Sequence, residues 1–199
     1  TDSNRNTWIG TWEAGLNISF FQKSRFSVLR YKPNTFQGLL SNKVTSLSSG
    51  DDRGVWVGSN VGLSFFEHKT GKVEHMINQA VENKLNVTSG FDVNLLQAMP
   101  DGTVWVAAWA RGLFHFSPPN TLQPFPYRIG ESGMNLTALF KDQNRLLLGT
   151  QTKGLFAFDL AKKNFYNPFG EFSSQELRNK NINTILKTSK GQIWVGTTM

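Results

Sequence analysis

Trp12 and Trp109 each stand four residues after another tryptophan, Trp8 and Trp105, and charged side chains follow them closely: Glu13 after the first, Arg111 after the second. An indole in a short connection offers a flat apolar face on which a sugar ring or an aromatic ligand can lie. Charged groups beside it can fix the ligand's orientation through directional hydrogen bonds. Asn60, Gln151 and Lys153 occupy the corresponding place in two further segments. The candidate ligand-binding set is therefore Trp12, Glu13, Asn60, Trp109, Arg111, Gln151 and Lys153. A purely structural use of both indoles, plugging a channel or covering a sheet edge, is the competing reading.

Catalytic chemistry is thinly represented. His68, His75 and His115 are the only histidines, and none has the spacing of a metal-ligating pair, so neither a metal nor a cofactor is expected. His115 alternates with Phe114 and Phe116 and reads as a strand residue. The acids Asp51, Asp52, Asp101, Asp142 and Glu67 fall in expected hairpin turns, where local backbone hydrogen bonding explains them. No carboxylate pair of the glycosidase kind stands out. With no cysteine there is no disulfide, thiolate nucleophile or zinc ribbon. The expectation is a chain that binds and does not catalyse.

The elements that must position these residues repeat. Five segments align: Thr7-Trp8-Ile9-Gly10-Thr11, Val55-Trp56-Val57-Gly58-Ser59, Val104-Trp105-Val106-Ala107-Ala108, Leu146-Leu147-Leu148-Gly149-Thr150 and Ile193-Trp194-Val195-Gly196-Thr197. The anchors Trp8, Trp56, Trp105, Leu147 and Trp194 are spaced by 48, 49, 42 and 47 residues. Gly15-Leu16, Gly62-Leu63, Gly112-Leu113 and Gly154-Leu155 follow, and then apolar alternation such as Leu113-Phe114-His115-Phe116. A short apolar strand precedes four of the anchors, starting at Val44, Val93, Leu136 and Ile182, and a polar turn joins it to the anchor strand.

Four short antiparallel strands every 42 to 49 residues predict an all-β chain of β-propeller blades, about four of them. The whole chain, 1–199, divides into a partial blade at 7–41 holding strands two to four, blades at 42–91, 92–134 and 135–180, and a partial blade at 181–199 holding strands one and two. That makes seventeen strands. Each anchor is expected to be buried between blades, more loosely at Leu147. The turns between strands two and three, which carry the candidate residues, share a face with the connections between blades. Two of those connections, 79–90 and 170–181, are long enough to form a rim, with Asn83, Lys84, Glu176 and Arg178 as its polar groups. Because Trp8 and Trp194 claim one ring position twice, an open arc or a homo-oligomer is expected of the isolated chain.

The units running from Asn42 to Leu63 and from Ile182 to Thr197 resemble the two-component regulator propeller repeat: an apolar strand, a turn ending in glycine, a W-[IV]-G-T strand and a Gly-Leu strand. Departures are Ala107-Ala108 for Gly-Thr, Leu147 for Trp, and a glycine-free turn at Asp142-Gln143-Asn144. In proteins of this family the repeats build two successive seven-bladed propellers in the periplasmic sensor region of hybrid two-component regulators, chiefly of gut Bacteroidetes. The resemblance implies further blades, a β-sandwich, a membrane helix, a histidine kinase, a receiver and often a DNA-binding helix-turn-helix outside this segment. It also implies a periplasmic location and recognition of an oligosaccharide signal.

Composition agrees with a folded β chain and excludes a coiled coil: 39% of the 199 residues are hydrophobic, 18% are charged, and Gly and Phe number 18 and 16. The formal net charge of +7 permits an acidic partner, and an acidic glycan suits it better than a neutral one. The cations are scattered, with only Lys162-Lys163 adjacent, so nucleic acid is not expected to bind this segment. Lacking an initiator Met and ending just after a strand-like run, the chain reads as an excerpt of something larger. A carbohydrate-active enzyme whose acids lie in other blades and a protein-interaction scaffold are the competing functions.

Overall fold

A computed structural model of the chain describes residues 1–2, 5–13, 15–19, 26–33, 37–49, 51–77, 91–119, 121–125, 135–168, 177–178 and 180–198. Seventeen strands lie among them, in five antiparallel sheets. The first sheet holds β1 (Thr7–Gly10), β2 (Leu16–Ser19) and β3 (Phe26–Leu29). The second holds β4 (Val44–Ser48), β5 (Gly54–Ser59), β6 (Gly62–Glu67) and β7 (Val73–Ile77). The third holds β8 (Val93–Ala98), β9 (Val104–Ala108), β10 (Gly112–Ser117) and β11 (Thr121–Phe125). The fourth holds β12 (Leu136–Asp142), β13 (Arg145–Thr150), β14 (Leu155–Asp159) and β15 (Asn164–Tyr166). The fifth holds β16 (Asn181–Lys187) and β17 (Ile193–Thr198). No helix among the described residues is long and apolar enough to cross a membrane.

Two compact units divide the chain. One comprises Thr1–Val106 with Phe114–Gln123, the other Ala107–Leu113 with Pro124–Met199. Within each, one local device recurs where successive sheets meet. The first strand carries a bulge between Val44 and Ser46 in the second sheet and between Leu136 and Ala138 in the fourth. A bulge re-aims the residue it leaves unpaired. Here those residues are threonines, and the Thr45 and Thr137 hydroxyls donate to the main-chain oxygens of Val93 and Ile182, on the first strand of the next sheet. Opposite each bulge stands the glycine of the anchor segment, Gly58 against Ser46 and Gly149 against Ala138. A Cβ on Gly58 would lie 2.6 Å from Val93 Cγ1, and one on Gly149 would lie 2.6 Å from Ile182 Cγ2. The missing side chain is what lets the neighbouring sheet approach.

Trp8, Trp56 and Leu147 point toward the sheet that follows. In the first unit Trp8 meets Phe66 edge-on at 5.1 Å between ring centroids, and Trp56 meets Phe116 edge-on at 5.8 Å. Trp56 and Trp105 are 4% and 1% exposed. In the second unit Leu147 is fully buried with Ala138, Leu155, Ala157, Ile182 and Ile185. Leu147 is sealed from solvent like the tryptophan anchor Trp105, among small Ala138 and Ala157 and the isoleucines of β16. Two anchors depart from the expected burial. Trp194 is 64% exposed, since no described sheet follows β17 to cover it, and its cross-strand neighbour Leu186 is exposed with it. Trp8 is half-buried, its Nε1 donating to Asp2 Oδ2 at 2.7 Å and its ring stacked on His68.

Asp142 also departs from expectation in part. It stands at the β12–β13 turn as expected, but buried and held by the side chains of Lys187 and Arg145. Lys187 Nζ donates to its Oδ1 at 2.5 Å, and Arg145 Nη2 to its Oδ2 at 3.1 Å. The Lys187 bond, followed by those from Arg145, outweighs burial and holds the carboxyl below its ordinary value of 3.8. Because the folded value is the lower one, the stabilisation is complete above the unfolded value and is lost as the pH falls through the folded one. The melting-temperature gap between wild type and Asp142→Asn should therefore be widest above about pH 5 and should narrow below about pH 4. A gap that stays constant from neutral to acid pH would show that the charge of Asp142 does not contribute.

Candidate functional site

The turn joining β1 to β2 presents Trp12, 63% exposed, with Glu13 exposed beside it. Main-chain bonds fix the turn. Thr11 N and Oγ1 both donate to Gly15 O, Gly15 N donates to Asn42 O at 2.9 Å, and Val44 N donates to Thr11 O at 3.1 Å. Gly15 needs its lack of a side chain: its φ is +80°, and a Cβ would lie 2.5 Å from Leu29 O. These bonds seat Lys43 against the turn, its Nζ 3.6 Å from the centre of the Trp12 ring. Asn42 Oδ1 in turn accepts Tyr31 N at 2.8 Å, which places exposed Tyr31 at the same end of the sheet. Asn60 sits in the tight turn between β5 and β6, half-buried. Its Oδ1 is enclosed and has no hydrogen-bond partner among the described residues.

In the second unit Asn135 joins two of the candidate turns. Its Oδ1 accepts Ala110 N at 3.0 Å, its Nδ2 donates to Gln151 Oε1 at 2.9 Å, and its main-chain oxygen accepts Gln151 N at 3.0 Å. The turn carrying Trp109, 44% exposed, and Arg111 is thereby tied to the turn carrying Gln151 and Lys153. Ala110 has a φ of +57°, the strained conformation that Arg111 N donating to Ala108 O helps to hold. Lys153 N donates to Thr150 Oγ1 at 3.0 Å, which shapes the second turn. Neither Asn135 nor Lys43 stood out as a site residue in the sequence. The available signal was their shared place, one residue before the first apolar residue of a first strand, Val44 or Leu136.

The rim candidates Asn83, Lys84 and Glu176 lie outside the described residues, as does Ala14 of the first turn. Arg178 is described, and its backbone bridges Gly154. The histidines serve local structure. His75 Nε2 meets Gly38 O at 2.8 Å, His115 Nε2 meets Thr103 Oγ1 at 3.0 Å with its ring over Trp105, and His68 packs on Trp8. Among the described residues no group of three or more His, Asp or Glu side chains is arranged to hold a metal ion.

Residues 176–199 match the family model described as two component regulator propeller. The chain is similar to the extracellular domain of the putative hybrid two component system BT3049 from B. thetaiotaomicron, with 24% identity and a TM-score of 0.77 over 98% of this chain and 25% of that one. It is similar also to the extracellular domain of the putative hybrid two component system BT4673 from the same organism, with 17% identity and a TM-score of 0.72 over 99% of this chain and 24% of that one. The β-propeller domain of Cps50 (Swd1) from Myceliophteria thermophila superposes with 14% identity and a TM-score of 0.67 over 98% of this chain and 60% of that one. The fold is that of a β-propeller. Its sheets are blades, and the candidate residues occupy the turns between second and third blade strands. The chain spans about a quarter of the length of the two B. thetaiotaomicron domains. No curated protein matches it in sequence.

Proposed function

We propose that this propeller segment is the ligand-sensing, non-enzymatic part of a periplasmic receptor of the hybrid two-component kind, which recognises an oligosaccharide and passes occupancy to kinase domains elsewhere in the protein. The observation that carries the reading is the regulator-propeller match at 176–199, in a chain whose other blades repeat the same pattern. The similarity to extracellular domains of hybrid two component systems supports it. So do the two exposed indoles, each on a pinned turn. The remaining blades and the downstream domains are its covalent partners in this reading, and the exposed Trp194 and Leu186 leave room for further blades or a second copy.

Local hydrogen bonds and ion pairs set the described aspartates that depart from their ordinary value. Asp2, Asp51, Asp101, Asp142 and Asp159 are all held below the ordinary carboxylate value. Thr103 does this for Asp101 by donating its hydroxyl and main-chain N–H, and the main-chain N–H groups of Lys162 and Ala161 do it for Asp159.

Calorimetric titration with neutral and acidic oligosaccharides tests the reading. Saturable binding without shortening of the sugar is expected, and Trp109→Ala should weaken it about tenfold, the loss of roughly 1.4 kcal/mol of stacking. Release of shorter products would assign the chain to the enzymes. Absence of binding to every sugar offered, in a protein shown to be folded, would remove the sensor reading.

A further inference from the structure

We propose that the end of the first sheet bearing Trp12, Lys43, Arg30 and Tyr31 is a subsite for an acidic sugar residue, one carrying a carboxylate or a sulfate. The inference rests on the sensor reading and deepens it by naming the chemistry of one contact. Its basis is the placement of Lys43. The ammonium lies 3.6 Å over the Trp12 ring, and no carboxylate pairs with it among the described residues. An aromatic face attracts a cation but leaves the outer N–H groups of the ammonium available to an anion.

Neighbouring charge has the same sign. Arg30 is exposed, and its Cγ lies 3.5 Å from where a Cβ on Gly15 would stand, at the foot of the Trp12 turn. Lys32 is exposed two residues on. Glu13 is the single carboxylate in the Trp12 turn. Two exposed aromatics, Trp12 and Tyr31, flank the Asn42-Lys43 pair, and hydrogen bonds to Asn42 from Gly15 N and Tyr31 N set their spacing. A sugar ring stacked on the open part of the indole would carry its acidic substituent toward Lys43. The two-point geometry selects for a ring and a charge together; a free anion satisfies only half of it.

The experiment titrates the full chain and its variants with a galacturonate tetramer, a sulfated galactose tetramer and the unsubstituted galactose tetramer, at low and high salt. Wild type should bind at least one acidic tetramer tenfold or more tightly than the neutral one, with the margin shrinking at high salt. The arm that shows the margin identifies carboxylate or sulfate. Lys43→Met, which keeps an apolar stem over the indole, should remove most of the margin between acidic and neutral tetramers, whereas Lys43→Arg should retain it. Trp12→Ala should weaken all three ligands alike. If the neutral tetramer binds as well as both acidic ones, or if Lys43→Met leaves the margin intact, the subsite is overturned while the sensor reading stands. If no tetramer binds, the subsite is overturned and the sensor reading stands or falls on the wider set of oligosaccharides.

Discussion

Replacing Trp56 with alanine should destabilise the first unit by about 3–5 kcal/mol, the range for truncating a large aromatic in a packed core. Trp56 is nearly sealed, touching Phe65 of its own sheet at 4.8 Å and Phe116 of the next at 5.8 Å, both centroid distances. Its loss opens a cavity walled by two sheets whose backbones are fixed by hydrogen bonds, so collapse around the vacancy is limited. Trp194→Ala provides the comparison. The same residue type at the same repeat position is largely exposed there, so its truncation should cost less than about 1 kcal/mol. Denaturant midpoints of the two variants measure the contrast. Equal shifts would mean that the anchors contribute through strand propensity and not through contact with the following blade.

Gly154→Ala carries the second large expected effect, about 2–4 kcal/mol. Its φ of +81° alone costs a side-chain-bearing residue roughly 1–2 kcal/mol, and an added Cβ would stand 2.0 Å from Leu177 O, a backbone atom that cannot rotate aside. Gly71→Ala separates the two causes. Gly71 has a similar φ, +69°, with nothing within 4 Å of an added Cβ, so its variant should show the conformational part only, about 1 kcal/mol. Thermal melts of both variants test this, and a Gly154 variant no less stable than the Gly71 variant would exclude the steric part.

Much of the strand pattern was legible because each strand writes its own period into the chain. Alternation such as Leu113 to Phe116, turn glycines with positive φ at Gly15, Gly62, Gly112 and Gly154, and the recurrent anchor segments are local signals. The features that escaped depend on residues far away in sequence. Asp142 resembles any turn aspartate until Lys187, 45 residues on, reaches it. Trp194 carries the same local motif as Trp56, but burial is conferred by the sheet that follows and not by the motif. At the candidate site the exposed indoles were legible, since short turns expose what they carry. Asn135 and Lys43 were not, because an asparagine or a lysine before a strand gains a role only through the turn that it meets in the preceding blade.

Those meetings share a geometry with a mechanical meaning. Thr11 and Gly15 are bonded to Val44 and Asn42, Ala110 to Asn135, and Gly154 N to Lys180 O, so each of these turns is fastened to the residues that open the next blade. A molecule gripping such a turn would also grip the seam beside it. Its binding free energy adds to the work needed to prise the two blades apart, by RT ln(1 + [L]/Kd) for a ligand that binds only the closed seam. The consequence of a ligand on such a turn is thus a stiffer seam between the two sheets it touches.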